Sequence, residues 1–247
     1  MSAPDAEPTL GASGETEEEI TGRRVRFGGL LVVVFAAFLL SGLTEPGRWG
    51  EGTRALLNGA IVILALLAAE AKPRVIRVVT IFVVVAALAG VVIAVTTNEP
   101  DEASGRAIDA ILLGMSLPAV ALGTLRNLQK NGTVTVESVF GVLSIYVLFG
   151  MFFAALFGAI SQIQGAAVFN GETGTHASSV AHTIYYSFTT LTTVGYGDLT
   201  TKANLTHTLS VCEALVGQIY LVTVVSLIVS NLGQTHAIRG RKKVDEV

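Results

Sequence analysis

The sequence is poor in cysteine, in charge and in basic patches. Its one cysteine, Cys212, excludes an intramolecular disulfide and has no thiol partner for a metal cluster. Only 14% of the 247 residues are charged while 51% are hydrophobic, whereas soluble proteins carry about 25% charged residues. The basic residues stand in short groups between apolar runs, which argues against nucleic-acid binding. The composition therefore predicts a membrane protein.

Six apolar segments make up about half of the chain. A hydrocarbon core about 30 Å thick requires roughly 20 helical residues, so we expect an all-α membrane protein with six transmembrane helices. The segments are Phe27–Leu43, Ala55–Ala71, Ile76–Thr96, Ala107–Leu125, Val139–Ile160 and Leu209–Leu232. Residues 1–22 are rich in glutamate and small residues, and we expect them to form a disordered acidic tail.

The distribution of Lys and Arg predicts the orientation of these spans. With the N-terminus in the cytoplasm, twelve of the sixteen Lys and Arg residues lie inside. The four on the outside are Arg48, Arg54, Arg106 and Lys202. Because cytoplasmic loops carry an excess of positive charge, we expect a multi-pass protein of the cell membrane with both termini in the cytoplasm. Residues 161–208 then lie on the outer side.

The outer stretch contains a segment that is too short to span a membrane. It is predicted to form a helix over His182–Leu191, with Ser178 or Ser179 as the N-cap. The string Thr193–Asp198 follows directly, with the sequence Thr-Val-Gly-Tyr-Gly-Asp. A loop enters hydrocarbon only where protein or water satisfies its backbone. The short helix and the glycine-containing string together predict such a re-entrant loop.

Residues 185–198, flanked by two spans, resemble the pore helix and selectivity filter of the potassium channel superfamily. The resemblance implies a homotetrameric pore in which four copies of the string surround potassium ions. The predicted filter residues are Thr193, Val194, Gly195, Tyr196 and Gly197, with K⁺ held at the first four of them. It also implies that the side chains of Val194 and Tyr196 pack against the pore helix.

Four further residues are predicted to support the filter. The resemblance places Tyr186 where a family aromatic hydrogen-bonds the aspartate corresponding to Asp198. Thr189 stands where some bacterial members have a glutamate that pairs with that aspartate, so Asp198 lacks this partner. Glu213, inside the last span, faces the back of the pore helix in the family register. Two roles stay open for it, a hydrogen bond to pore-helix hydroxyls and proton sensing.

The last span supplies the predicted hinge and cavity residues. Gly217 occupies the position of a hinge glycine, and both a bend and close helix packing are consistent with it. A stripe with helical spacing follows, which either lines the central cavity or faces lipid or another helix. It comprises Gln218, Leu221, Val225 and Val229. Val224–Ser226 stands where voltage-gated members carry Pro-Val-Pro, so no proline kink is expected.

The fourth apolar segment, 107–125, contains neither Lys nor Arg. A voltage sensor of the family's kind needs arginines along this span, because the charge that they move supplies the gating work. We therefore expect residues 23–132 to form a four-helix domain without gating charges, and 133–236 to form the pore domain. Residues 237–247 form a short basic tail in this interpretation, and gating by voltage is weak.

Two other functions are consistent with the sequence. One is a weakly selective cation channel, and the other is a membrane ligand sensor that uses the pore as its output. An enzyme is not predicted, because no nucleophile–base pair or metal-ligand set stands out on any span or loop. The expected partners are further copies of the chain, membrane lipids and potassium ions. Potassium is the permeant ligand, and no cofactor or nucleic acid is expected.

Overall fold

The computed structural model describes residues 14–43, 48–68, 102–131, 136–172 and 177–226, with a few single helical positions between 74 and 85. The helices are α1 (Gly14–Leu43), α2 (Arg48–Ala68), α3 (Glu102–Asn131), α4 (Val136–Gln164), α5 (Val180–Leu191) and α6 (Asn204–Tyr220). A π-helical turn, Leu221–Val225, continues α6. Two short strands, β1 (Phe169–Asn170) and β2 (Thr200–Thr201), form an antiparallel pair. The described chain is therefore mostly helical, and this strand pair departs from the all-α expectation.

Three of the described helices are long and apolar enough to cross a membrane. These segments are Ile108–Arg126, Val136–Gln164 and Asn204–Val224, and Phe27–Leu43 and Leu56–Leu67 are shorter apolar helices. Five of the six predicted spans thus coincide with apolar helices in the described ranges. The predicted third span, Ile76–Thr96, lies outside the described residues except for isolated helical positions. The architecture is that of a membrane protein.

Helix α1 begins at Gly14, inside the segment that the sequence assigns to a disordered tail. Residues 14–22 are helical instead. Glutamate has a good intrinsic helix propensity, and negative charge near a helix N-terminus interacts favourably with the helix dipole. The glutamates at 15 and 17–19 occupy the first turns of α1, so the apolar segment propagates its helix back through them.

The helices fall into two regions that meet along α4. The peripheral region, α1 to α3, packs aliphatic side chains such as Leu30, Ile61 and Val120 against one another and against Leu148 of α4. The pore region comprises α4 to α6 and the segments between them. Because α4 contacts α1 and α3 as well as α5 and α6, it is the wall that both regions share.

The short helix α5 is held at its N-terminal end by side-chain oxygens. Ser179 is its N-cap, and the Ser179 hydroxyl accepts a hydrogen bond of 3.1 Å from the backbone N–H of His182. The hydroxyl of Ser161, near the end of α4, accepts a hydrogen bond of 2.6 Å from the N–H of Ser178. The N–H of Lys202 donates to the carbonyl of Val168. The Ser161 bond therefore ties the start of α5 to the end of α4, and the Lys202 bond joins the segments that precede and follow α5.

Candidate functional site

The string that follows α5 is anchored by the last carbonyl groups of that helix. The N–H of Thr193 donates to the carbonyl oxygen of Thr190 over 3.0 Å. The N–H groups of Val194 and Gly195 both donate to the carbonyl oxygen of Thr189, over 2.9 and 3.1 Å. The string therefore leaves the helix through a tight, hydrogen-bonded turn that determines its starting direction.

The sign of the backbone angle φ alternates along the string. φ is positive at Thr193 (60°), Gly195 (52°) and Gly197 (81°), while Val194 and Tyr196 between them have negative φ. Such alternation turns successive carbonyl groups toward one side, whereas the carbonyl groups of a regular strand alternate between sides. Glycine adopts positive φ without steric cost. For Thr193 the same conformation is strained, because a non-glycine residue with positive φ costs about 1–3 kcal/mol. The sequence identified both glycines, but it did not reveal the conformation of Thr193.

Asp198, at the end of the string, is bonded by a different tyrosine from the predicted one. The hydroxyl of Tyr185 donates to Asp198 Oδ2 over 2.9 Å. Its ring stacks on that of Tyr196, with centroids 6.1 Å apart and planes at 3°. Desolvation first, and then the hydrogen bond and charge of Asp198, raise the pKa of the Tyr185 phenol. The hydroxyl is therefore protonated and able to donate at neutral pH.

Tyr186, to which the sequence assigns the bond to Asp198, points to the other side of α5. Its hydroxyl donates to Ser210 Oγ of α6 over 2.7 Å. Its ring packs against Phe157 and Phe169, with centroids 5.3 and 4.5 Å away. Adjacent helical residues lie about 100° apart around the axis, so only one of the two tyrosines reaches the string. Tyr186 instead ties α5 to α6 and to the segment after α4.

Among the described residues, Thr189 forms no hydrogen bond with Asp198. Its hydroxyl donates back to the carbonyl of Tyr186 over 3.0 Å. The carbonyl of Leu191, at the end of α5, accepts a hydrogen bond of 3.2 Å from the hydroxyl of Tyr146. The end of α5 is therefore held by α4 through this tyrosine.

Gly217 lies where α6 packs against the end of α5. A Cβ atom at this position would collide with the carbonyl oxygen of Leu191 and would lie 2.8 Å from Leu191 Cδ1. The residue is buried within regular α-helix, and the helical irregularity, the π turn, begins only at Leu221. Of the two interpretations of Gly217, the contacts favour close packing.

Glu213 is fully buried, with 0% of its surface exposed, and it faces α5. Its Oε1 atom is hydrogen-bonded to Ser187 Oγ of α5. The same hydroxyl lies 2.7 Å from the carbonyl oxygen of Gly150 in α4. One serine thus connects all three helices of the pore region.

The predicted cavity stripe is described only in part. Gln218 and Leu221 are exposed in the single chain. Val225 lies in the π turn, while its side chain and Val229 fall outside the described residues. A π turn holds an additional residue compared with an α turn, so it rotates later positions relative to Gln218. The periodicity of the sequence could not anticipate this rotation.

A small cavity, about 40 Å³, lies between the peripheral region and the first turn of α5. Asn58 of α2 lines it and donates from Nδ2 to Asp109 Oδ1 of α3 over 2.9 Å. Thr183 and Ile184 of α5 form part of the opposite wall. Asp109 lies near the start of the apolar segment Ala107–Leu125, but nothing in the sequence signals its pairing with Asn58.

Comparison with known proteins covers the pore region. A family model described as an ion channel matches residues 141–234. The matched range begins in α4 and includes α5, the string Thr193–Asp198 and α6. No curated protein matches the chain at a significant level.

Proposed function

We propose, from the ion-channel family model that matches residues 141–234 and from the string Thr193–Gly197, that the protein is a potassium-selective channel of the potassium channel superfamily. Four chains assemble around an axis, and each contributes the string Thr193–Gly197 to a common filter. Potassium ions bind at Thr193, Val194, Gly195 and Tyr196. Conduction is passive, and the proposal includes no enzymatic activity.

The alternating φ angles of the string are the observation that carries this proposal. Carbonyl groups that turn to one side form a column of oxygen ligands, and one column covers only part of the surface of an ion. A dehydrated potassium ion needs oxygens all around it to replace its water. Four copies of the column complete the cage, so the homotetramer follows from the chemistry of the ion.

The exposure of the string in a single chain supports an assembly. Val194 is 53% exposed and Tyr196 is 71% exposed, although both are large side chains in a segment that is hydrogen-bonded to the end of α5. The α6 segment also presents a largely uncovered apolar surface. Its exposed residues include Leu205, Val211, Leu215, Ile219 and Val222. In our proposal, neighbouring copies and lipid cover these residues in the cell membrane.

The peripheral region belongs to a four-helix domain, residues 23–132, that surrounds the pore domain, residues 133–236. Lys and Arg distribution supports six spans with cytoplasmic termini. Asp198 and the first turn of α5 then face the outside. The peripheral domain supplies no gating charge from 107–125, so the proposed conductance is not steeply voltage-gated.

Ion flux from the purified protein in liposomes tests the proposal. We expect a reversal potential that follows the potassium gradient in mixed sodium and potassium, together with a tetrameric mass in detergent. Equal permeability to the two ions contradicts potassium selectivity and favours the weakly selective cation channel. A protein that passes no ions but binds a ligand through its peripheral helices favours the sensor.

A further inference from the structure

Glu213 combines complete burial with an incomplete set of hydrogen bonds. It lies in the candidate span Asn204–Val224, and its Oε1 atom contacts Ser187 Oγ. Its Oε2 atom is buried and has no hydrogen-bond partner among the described residues. The ion pairs of the described part of the chain include none to Glu213. An ionised carboxylate here would be both unpaired and partly unsatisfied.

Counting hydrogens at Ser187 indicates the protonation state of Glu213. A serine hydroxyl has one hydrogen to donate. The carbonyl oxygen of Gly150, 2.7 Å from Ser187 Oγ, only accepts hydrogen bonds, so it takes that hydrogen. The contact between Ser187 Oγ and Glu213 Oε1 then needs a hydrogen from the carboxyl group. If Glu213 were ionised, one of the two contacts would have no hydrogen in it.

Burial leads to the same conclusion by a separate route. A carboxylate without a cation is strongly disfavoured in a low-dielectric interior, and the group takes up a proton instead. A neutral carboxylic acid has one donor and can still accept, which matches a single serine oxygen as its partner. The geometry and the surroundings of Glu213 thus both require the neutral form.

We infer that Glu213 carries its proton in the folded protein and acts as a hydrogen-bond donor that positions α5. The donated bond runs from Glu213 in α6 to Ser187 in α5, and the Ser187 hydroxyl donates onward to Gly150 in α4. This relay holds α5 from both sides, one helical turn before Leu191 and the start of the string. Glu213 is therefore a positioning residue. Its protonation is independent of the proposed function, and only its effect on conduction rests on that function.

Infrared spectroscopy of the purified full-length protein tests the protonation state directly. The difference spectrum between the parent and Glu213→Gln should contain the C=O stretching band of a protonated carboxylic acid at neutral pH. The matched control is Asp198→Asn, because Asp198 is an exposed carboxyl group bonded by Tyr185. Its difference spectrum should show a carboxylate band instead. A carboxylate band lost in Glu213→Gln would overturn the inference.

Conduction separates positioning from simple space filling. The amide of Glu213→Gln still donates to Ser187 Oγ, so we expect potassium flux and selectivity close to those of the parent. Glu213→Leu has a similar size but no donor, and we expect about tenfold less potassium-selective flux per protein. Equal flux from the Leu and Gln variants would contradict the positioning role. A parent with the acid band but without potassium flux would sink the proposed function while leaving the protonation of Glu213 supported.

Discussion

The peripheral and pore regions bury different kinds of side chain. The peripheral core consists mainly of aliphatic residues, including Leu30, Val34, Ile61 and Val120. The peripheral helices also share a part-buried polar pair, Asn58 with Asp109. In the pore region, fully buried polar groups join one helix to the next, as in the bond between Glu213 and Ser187. Lipid tails are as apolar as leucine, so aliphatic packing in a membrane specifies position only through shape. A polar group without its partner in hydrocarbon is costly, so the polar contacts specify position more strictly.

The stricter polar contacts of the pore region lie around a segment whose backbone conformation has to be maintained. The string Thr193–Gly197 keeps a backbone conformation that includes a strained Thr193, and such strain persists only where the surroundings over-determine it. The polar contacts of Tyr185 and Ser187 lie on either side of the helix that leads into the string. The predictions below test whether the pore region is as intolerant, and the peripheral region as tolerant, as this comparison implies.

The largest contrast is expected between two glycine-to-alanine substitutions. Gly197 has φ of 81°, which alanine rarely adopts. Gly197→Ala should therefore displace the carbonyl groups of the string and abolish potassium-selective flux. The control is Gly29→Ala in α1, where an added Cβ meets nothing within 4 Å and alanine favours the helix. Flux and reversal potential in liposomes measure both. Selective flux from the Gly197 variant would contradict our account of the string.

A smaller effect is expected where α6 packs on α5. Gly217→Ala forces a methyl group against the Leu191 carbonyl, and overpacking of this kind costs about 1–3 kcal/mol. Gly28→Ala in α1 is the matched control, since its Cβ would be in ordinary contact, 3.5 Å from Phe140. Thermal unfolding of the purified assembly should show a lower transition temperature for the first variant alone. Equal transition temperatures would mean that α6 moves away from Leu191 without cost.

The two adjacent tyrosines sharpen the comparison within the pore region. Tyr185→Phe keeps the ring stack on Tyr196 but loses the bond to Asp198, which is worth about 0.5–1.5 kcal/mol. Tyr186→Phe loses a bond of similar strength to Ser210, away from the string. We expect Tyr185→Phe to lower the potassium-to-sodium permeability ratio, and Tyr186→Phe to lower thermal stability at an unchanged ratio. The reverse pattern would restore the assignment of Asp198 to Tyr186.

Local signals in the sequence were sufficient for the helices and for the string. Apolar length predicted the apolar helices that the structure describes. The serines before a semi-apolar segment predicted an N-cap at Ser178 or Ser179, and Ser179 is the cap. Both features depend on neighbours in the chain. The position of Glu213 behind α5 came instead from the resemblance to the potassium channel superfamily, and in the structure Glu213 contacts Ser187 of α5.

Features that depend on rotation about a helix axis could not be predicted in the same way. The choice between Tyr185 and Tyr186 requires the orientation of α5 about its axis, which the sequence defines poorly where both neighbours are tyrosine. The π turn at Leu221–Val225 contains one more residue than an α turn, so the later residues of the cavity stripe are rotated about the helix axis relative to Gln218. The positive φ of Thr193 and the pairing of Asn58 with Asp109 arise from tertiary contacts that leave no sequence pattern.

The smallest effect is expected when the peripheral region is tested with voltage. Moving one elementary charge through 100 mV supplies about 2.3 kcal/mol, so steep gating requires several charges that move with a span. The segment Ile108–Arg126 of α3 contains no Lys or Arg before its last residue. The conductance of the reconstituted protein should therefore change only gradually with voltage. A conductance–voltage curve as steep as that of a channel with a full set of sensor arginines would contradict this prediction. It would also show that the peripheral helices do electrical work through basic residues outside 107–125. The two regions would then differ less than their buried side chains indicate.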